Sequence, residues 1–146
     1  MTILGLIKEL VEGLEGFTFC YDIRQMQNVA ADDVTFPIVF FEEYYGGRFV
    51  NRYGWKREVT IELHFLDKVE MQGEAEGREH VREQLLMTGV IPFMEALNAN
   101  GSMGQIKEYI CDPEPPMFDA NATGLLVRFT GLVPLCMLTT SEVENG

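Results

Sequence analysis

Hydrophobic residues at the start of the chain recur with the period of a helix. They follow the spacing of one apolar helix face: Ile3, Leu6, Ile7, Leu10, Val11 and Leu14. Thr2 precedes this run and can cap its first turn, while Gly13 or Gly16 can end it. The pattern predicts an N-terminal amphipathic helix whose apolar face packs on a sheet or on a neighbouring molecule.

The next part of the chain carries strand patterns. Alternation of apolar and polar residues predicts a short strand over 17–21 and the clearest strand of the chain over 57–67. Between them, the segment 36–45 contains the continuously apolar run Ile38–Phe41, which is typical of a strand covered on both faces. Helices of the same chain would cover one face, and a neighbouring subunit is a candidate for the other. Pro37 cannot donate to a ladder, so it is expected at the start of this strand or on an edge.

A second, longer helix is predicted over Glu76–Asn98. Gly89 and Pro92 interrupt its pattern, and proline inside a helix removes a hydrogen bond and clashes with the preceding turn. We therefore expect a kink near Thr88–Pro92, or two shorter helices.

Two further strands are predicted after this helix. The first covers Gln105–Cys111, and the last covers Gly124–Leu138. Between them, Asp112–Ala122 is predicted as a loop because it contains three prolines: Pro113, Pro115 and Pro116. The polar residues 139–146 are predicted to form a frayed tail.

The predicted elements follow the order α-β-β-β-α-β-β. Strands and helices do not alternate strictly, so a doubly wound parallel sheet is not expected. We predict an α+β fold: a mostly antiparallel or mixed sheet of about five strands, flanked by the N-terminal helix and the longer second helix. A chain of 146 residues suits one domain, which we place at 1–138.

The composition is that of an acidic globular protein. The chain has 23 acidic and 11 basic residues, for a net charge of −12, whereas a free-standing nucleic-acid binder usually has the opposite sign. Three cysteines, Cys20, Cys111 and Cys136, form no closely spaced pair, so we expect buried or half-buried thiols in a reducing compartment. No signal peptide and no membrane span is predicted, because charges interrupt the first apolar run.

We find no catalytic or metal-binding signature in the sequence. His64 lies two residues from Glu62 in the predicted strand 57–67, and such a pair could serve acid–base chemistry. We favour a solvated strand surface for both residues. A small enzyme that uses this pair stays open as the third functional hypothesis.

The most unusual segment is Arg48–Arg57. Four of the eleven basic residues of the chain lie in these ten positions: Arg48, Arg52, Lys56 and Arg57. Three aromatic residues are interleaved with them: Phe49, Tyr53 and Trp55. We rank three interpretations. The first is a protruding arm that docks on the acidic surface of another copy. The second is a hairpin whose aromatic residues pack across strands, and the third is contact with nucleic acid.

Taken together, the order of elements resembles that of the tail terminator, or tail-completion, proteins of long-tailed bacteriophages and prophages. The resemblance rests on the N-terminal helix, the strand entry Phe36–Val39, the strand Arg57–Leu66, the helix containing Val90–Met94, and the closing strand Gly124–Thr130. It is a resemblance of pattern and order over most of the chain. The proline-rich segment 112–119 and the basic segment 48–57 depart from the family's simple pattern.

The resemblance implies a function as well as a fold. It implies a structural protein that forms a homo-oligomeric ring, typically a hexamer, which caps the tail tube and meets the head connector. It implies no enzymatic activity, no cofactor, no membrane, and DNA that at most passes through the lumen. The expected location is the host cytoplasm during assembly and the virion tail afterwards. The alternative is a small intracellular binding module, for nucleic acid among other ligands, that uses the segment 48–57.

Overall fold

The structure, a computed structural model, describes residues 2–21, 35–69, 75–117 and 122–135 of the chain. In chain order the elements are α1 (Ile3–Glu12), β1 (Thr18–Tyr21), β2 (Ile38–Tyr45), β3 (Phe49–Asn51), β4 (Trp55–Lys68), α2 (Ala75–Leu85), α3 (Ile91–Asn100), β5 (Ile110–Met117) and β6 (Ala122–Pro134). A π-helical turn, Leu86–Val90, joins α2 to α3. The predicted α+β class is confirmed, and the short β3 is a strand that the periodicity did not resolve.

The six strands in the described part of the chain form one mixed sheet. Its strand order is β1-β2-β4-β6-β5, and β3 also pairs with β4. The β1–β2 pair is parallel, and every other pair is antiparallel. Along one edge of β4, β3 pairs with 55–57 and β2 with 60–66, while β6 occupies the other edge over 56–68. The long strand β4 is therefore the axis of the sheet.

The main core lies between one face of the sheet and the helices. From β4 it takes the residues that the alternation predicted: Val59, Ile61, Leu63 and Phe65. The predicted apolar face of α1 is buried against the same core, and Thr2 accepts a hydrogen bond from the backbone N–H of Gly5 at 3.0 Å, as expected of a helix cap.

The opposite face of the sheet carries a second, smaller apolar cluster. It consists of Cys20, Ile38, Phe40 and Leu66, with Phe36 packed against it. Ile38 and Phe40 are therefore already buried within a single chain. A neighbouring subunit, the candidate for covering this face of β2, is not needed to bury these residues, because residues of the same chain bury them. Pro37 directly precedes β2, as predicted, and its peptide bond with Phe36 is cis.

The predicted kink of the long helix is confirmed. The π-helical turn interrupts the regular helix at Leu86–Val90, and Pro92 lies in the first turn of α3. Pro92 lacks the N–H that would donate to a carbonyl of the preceding turn, and the regular helix is interrupted at that preceding turn. Gly89 lets the turn approach the sheet closely: a Cβ at this position would lie 2.7 Å from Cζ of Phe17.

The prediction for the segment between 105 and 122 was wrong in its boundaries. The strand begins only at Ile110 and continues to Met117, through the prolines that predicted a loop. The pairing is possible because β5 is the last strand of the sheet and bonds only to β6. Edge strands tolerate proline because a missing N–H on the outer edge breaks no ladder bond.

Several expectations fall outside the described residues. These are residues 118–121 of the predicted loop, Cys136, and the polar tail 139–146. In the described part of the chain, no helix is both long and apolar enough to cross a bilayer.

Candidate functional site

The segment singled out by its charge forms a β-hairpin, which we call the arm. It comprises Arg48, β3, the turn Arg52–Gly54 and the first residues of β4, up to Arg57. Tyr53 and Gly54 both have positive φ, at 54° and 108°, which makes the tight reversal of the chain. Between Lys56 and the turn, β4 pairs only with β3, because the ladder that joins β4 to β6 ends at Lys56.

Aromatic side chains are exposed along the arm. Tyr53 is fully exposed at the turn, and Phe49 and Trp55 are 52% and 56% exposed. The register places Phe49 opposite Arg57 and Trp55 opposite Asn51, so both aromatic residues lie on the same face of the hairpin. Large apolar surface that stays in water is characteristic of an interaction site.

The basic residues of the arm have different environments. Arg48 donates to the carboxylate of Glu58 at 2.9 Å. The guanidinium of Arg57 lies 5.6 Å from the ring centre of Tyr44 and donates to the carbonyl of Gly46. Arg52 is exposed and has no ion-pair partner in the part of the chain that the structure describes. Lys56 also has no ion-pair partner among the described residues, but it is half-buried, so Arg52 is the more accessible of these two cations.

A cleft of about 770 Å³ lies near the other end of β4. Its described lining combines apolar, acidic and basic side chains: Phe36, Asp67, Lys68, Val69, Glu76, Gly77, His80, Val81 and Gln84. The Lys68 ammonium lies 5.3 Å from the centre of the Phe36 ring. Cavities of about 300–1,000 Å³ are the size that accepts small molecules or large side chains.

His64 is buried, which corrects the prediction of a solvated strand surface. It is only 9% exposed, and its Nδ1 lies 2.5 Å from a carboxylate oxygen of Glu114 in β5. Glu114 lies opposite Gly124 in the ladder, so no side chain at that position blocks the path of its carboxylate across β6. The ring also contacts that of Phe40, at 5.7 Å between centres.

The surrounding charges raise the pKa of His64. Burial alone lowers this pKa, but the hydrogen bond to the Glu114 carboxylate and the negative charges of Glu114, Glu42 and Glu62 together outweigh it. The Nε2 atom is buried without a hydrogen-bond partner in the described residues, and a carboxylate oxygen of Glu42 lies 3.8 Å from it.

Glu62 and His64 form hydrogen bonds with different partners in the structure. Glu62 accepts a hydrogen bond from Arg128 at 2.8 Å, whereas His64 pairs with the carboxylate of Glu114. Neither Glu62 nor His64 lines the cleft. Within the described residues, no group of three or more metal-ligating side chains is placed to hold an ion.

Two of the predicted thiols can be located. Burial raises the pKa of Cys20 to about 11, and it also raises the pKa of the half-buried Cys111, next to the negative charge of Asp112. Both thiols are free, and a raised pKa keeps them in the unreactive protonated form.

Sequence reasoning found the arm but missed the cleft and the His64–Glu114 pair. The arm is a local feature, whereas fifty residues separate His64 from Glu114 along the chain. The proline-rich pattern around Glu114 even predicted a loop there. Comparison of the chain with protein-family models, with curated proteins and with solved structures finds no match.

Proposed function

We propose that this chain is a structural phage or prophage tail protein of the tail terminator type. In this proposal it forms a homo-oligomeric ring, a hexamer, that caps the tail tube and joins it to the head connector. The observation that carries the proposal is the arm, a hairpin with exposed aromatic side chains and an exposed cation, Arg52, on an acidic body.

The arm has the chemistry of a docking element. Interface centres are enriched in tyrosine, tryptophan and arginine, and Tyr53, Trp55 and Arg52 stand together at its tip. For a basic arm on a protein of net charge −12, another copy of the same chain presents a complementary surface. The charge pattern therefore favours association between copies.

The overall architecture is compatible with this role. The resemblance that suggested the family implies a mixed or antiparallel sheet flanked by helices, and the chain has such a sheet. The proposed partners are other copies of the chain, the tail tube protein and the head connector protein. The chain would act in the host cytoplasm during assembly and in the virion tail afterwards, through binding and without a cofactor.

The first test is the mass of the protein in solution. We expect light scattering to show a hexamer-sized species, or a monomer that assembles as its concentration rises. Arg48→Glu combined with Arg52→Glu should weaken assembly by at least about tenfold, because it reverses the charge of the arm. Lys8→Glu with Lys107→Glu is the matched control, since it makes the same charge change at exposed sites outside the arm.

Two results would contradict the proposal. One is a monomer at every concentration, both alone and with the tail tube protein. The other is assembly that the arm and control variants weaken equally. A monomer that binds single-stranded DNA, with an affinity that falls steeply with salt and disappears in Arg52→Glu, would favour the nucleic-acid-binding alternative.

A further inference from the structure

We propose that the arm of one copy docks in the cleft of a second copy, which makes the contact head to tail. The inference rests on the proposed function, because it names the surface that receives the arm. The cleft is the one that Phe36, Asp67, Val69, Glu76 and Val81 line.

The first argument is position. The arm includes the beginning of β4 at Trp55, whereas the cleft is lined by Asp67 and Lys68 at its end. Fourteen residues of extended strand separate the two ends by up to roughly 45 Å. A single chain therefore carries a projection at one end and a recess at the other.

The second argument is chemistry. The described lining of the cleft includes three apolar side chains, Phe36, Val69 and Val81, that can receive aromatic rings. Glu76 is exposed at the cleft, where it can pair with a cation such as Arg52 of an arriving arm. Lys68 also lines the cleft, and its ammonium lies 5.3 Å from the centre of the Phe36 ring.

The geometry has a consequence for assembly. A contact between two different surfaces of the same chain is heterologous, so each copy keeps one free arm and one free cleft until the assembly closes. Such a contact forms rings when the rotation between neighbours closes. It would therefore supply the contact that the proposed ring needs.

Charge reversal on each side tests the contact. Arg52→Glu changes the arm and Glu76→Arg changes the cleft, and we expect each variant alone to weaken assembly by at least about tenfold. The double variant Arg52→Glu with Glu76→Arg should recover assembly, because both charges are reversed together. Gln84→Trp is a second cleft variant, which fills the recess without changing a charge.

Mixing the two single variants gives the sharpest result. The intact arm of the Glu76→Arg copy meets the intact cleft of the Arg52→Glu copy, and the two reversed charges meet in the other contact, so both contacts between unlike copies are complementary. We expect light scattering of the mixture to show that assembly is recovered with the two variants alternating, whereas each variant alone is monomeric at the same concentration. Glu79→Arg is the matched control, since Glu79 is exposed on the same helix but does not line the cleft.

The outcomes separate this inference from the proposed function. If the arm variant disrupts assembly but Glu76→Arg and Gln84→Trp do not, the arm docks elsewhere and the inference fails while the proposed function stands. If the arm variant does not weaken assembly either, the inference and the proposed function both fail. Circular dichroism of each variant must match that of the parent protein, and a Glu79→Arg effect as large as that of Glu76→Arg would also overturn the inference.

Discussion

At the scale of single residues, the pair His64–Glu114 joins the edge strand β5 to the central strand β4 across β6. A buried hydrogen bond to a charged group stabilises a fold by about 1.5–3 kcal/mol, and loss of one partner leaves the other unsatisfied. The pair therefore ties a proline-bearing strand to the sheet through a side-chain contact that does not depend on backbone N–H groups.

We predict that this pair makes stability depend on pH. The pKa of His64 is raised above its ordinary value of 6.5, so the ionic contribution is fully present below pH 6.5 and is lost as pH rises through the folded-state value. Glu114→Gln should therefore lower the free energy of unfolding most below pH 6.5 and less at higher pH. Urea unfolding across this range measures the difference.

His80→Gln is the control for this prediction, because His80 is the other histidine of the chain and is exposed on α2. It should leave the pH profile unchanged. A difference between the parent and Glu114→Gln that stays constant with pH would show that the charge of His64 contributes nothing.

Close backbone approach gives a second residue-scale prediction. A Cβ at Gly124 would lie 1.8 Å from the carbonyl oxygen of Phe65, which belongs to the paired strand and cannot move aside. Gly124→Ala should therefore reduce the free energy of unfolding by about 3 kcal/mol or more. Chemical denaturation compares it with Gly47→Ala, whose added Cβ would meet no atom within 4 Å. Equal stability of the two variants would contradict the argument.

At the scale of elements, replacing Gly89 of the long helix by alanine has two opposite effects on stability. Alanine favours a helix over glycine by about 1 kcal/mol. Against this, a Cβ would lie 2.7 Å from Phe17 and 3.0 Å from Phe65, in a packed aromatic group. We expect the clash to win, so Gly89→Ala should lower stability by about 1–3 kcal/mol.

Thermal unfolding of Gly89→Ala checks this balance. Gly13→Ala is the control, because Gly13 caps α1 with negative φ and an added Cβ there meets only ordinary contacts. If Gly89→Ala proved more stable than the parent, the helix propensity would outweigh the packing, and the aromatic group would have to be able to shift.

At the scale of the whole molecule, the sheet has a centre and two edges. Both β4 and β6 are paired along both sides, whereas β1 and β5 are each paired along one. We predict that amides at Val59–Leu63 and Val127–Phe129 exchange most slowly, since they open only on global unfolding. Hydrogen exchange followed by mass spectrometry measures this, and protection of β1 equal to that of β4 would contradict it.

Much of the architecture was determined by the sequence itself. Hydrophobic periodicity is a local property, and it located α1, the apolar face of β4 and the kinked helix, because those elements bury one continuous face. The arm was equally visible, since its charge and aromatic residues are neighbours along the chain. The α+β class followed from the order of these elements.

Only the tertiary structure decided the remaining features. It turned the segment around Pro113 into an edge strand, because an edge strand needs ladder bonds on one side only. It buried His64 by bringing Glu114 across β6, and it placed the cleft near one end of β4 and the arm at the other. These features depend on contacts between residues far apart in the chain, which no local pattern encodes.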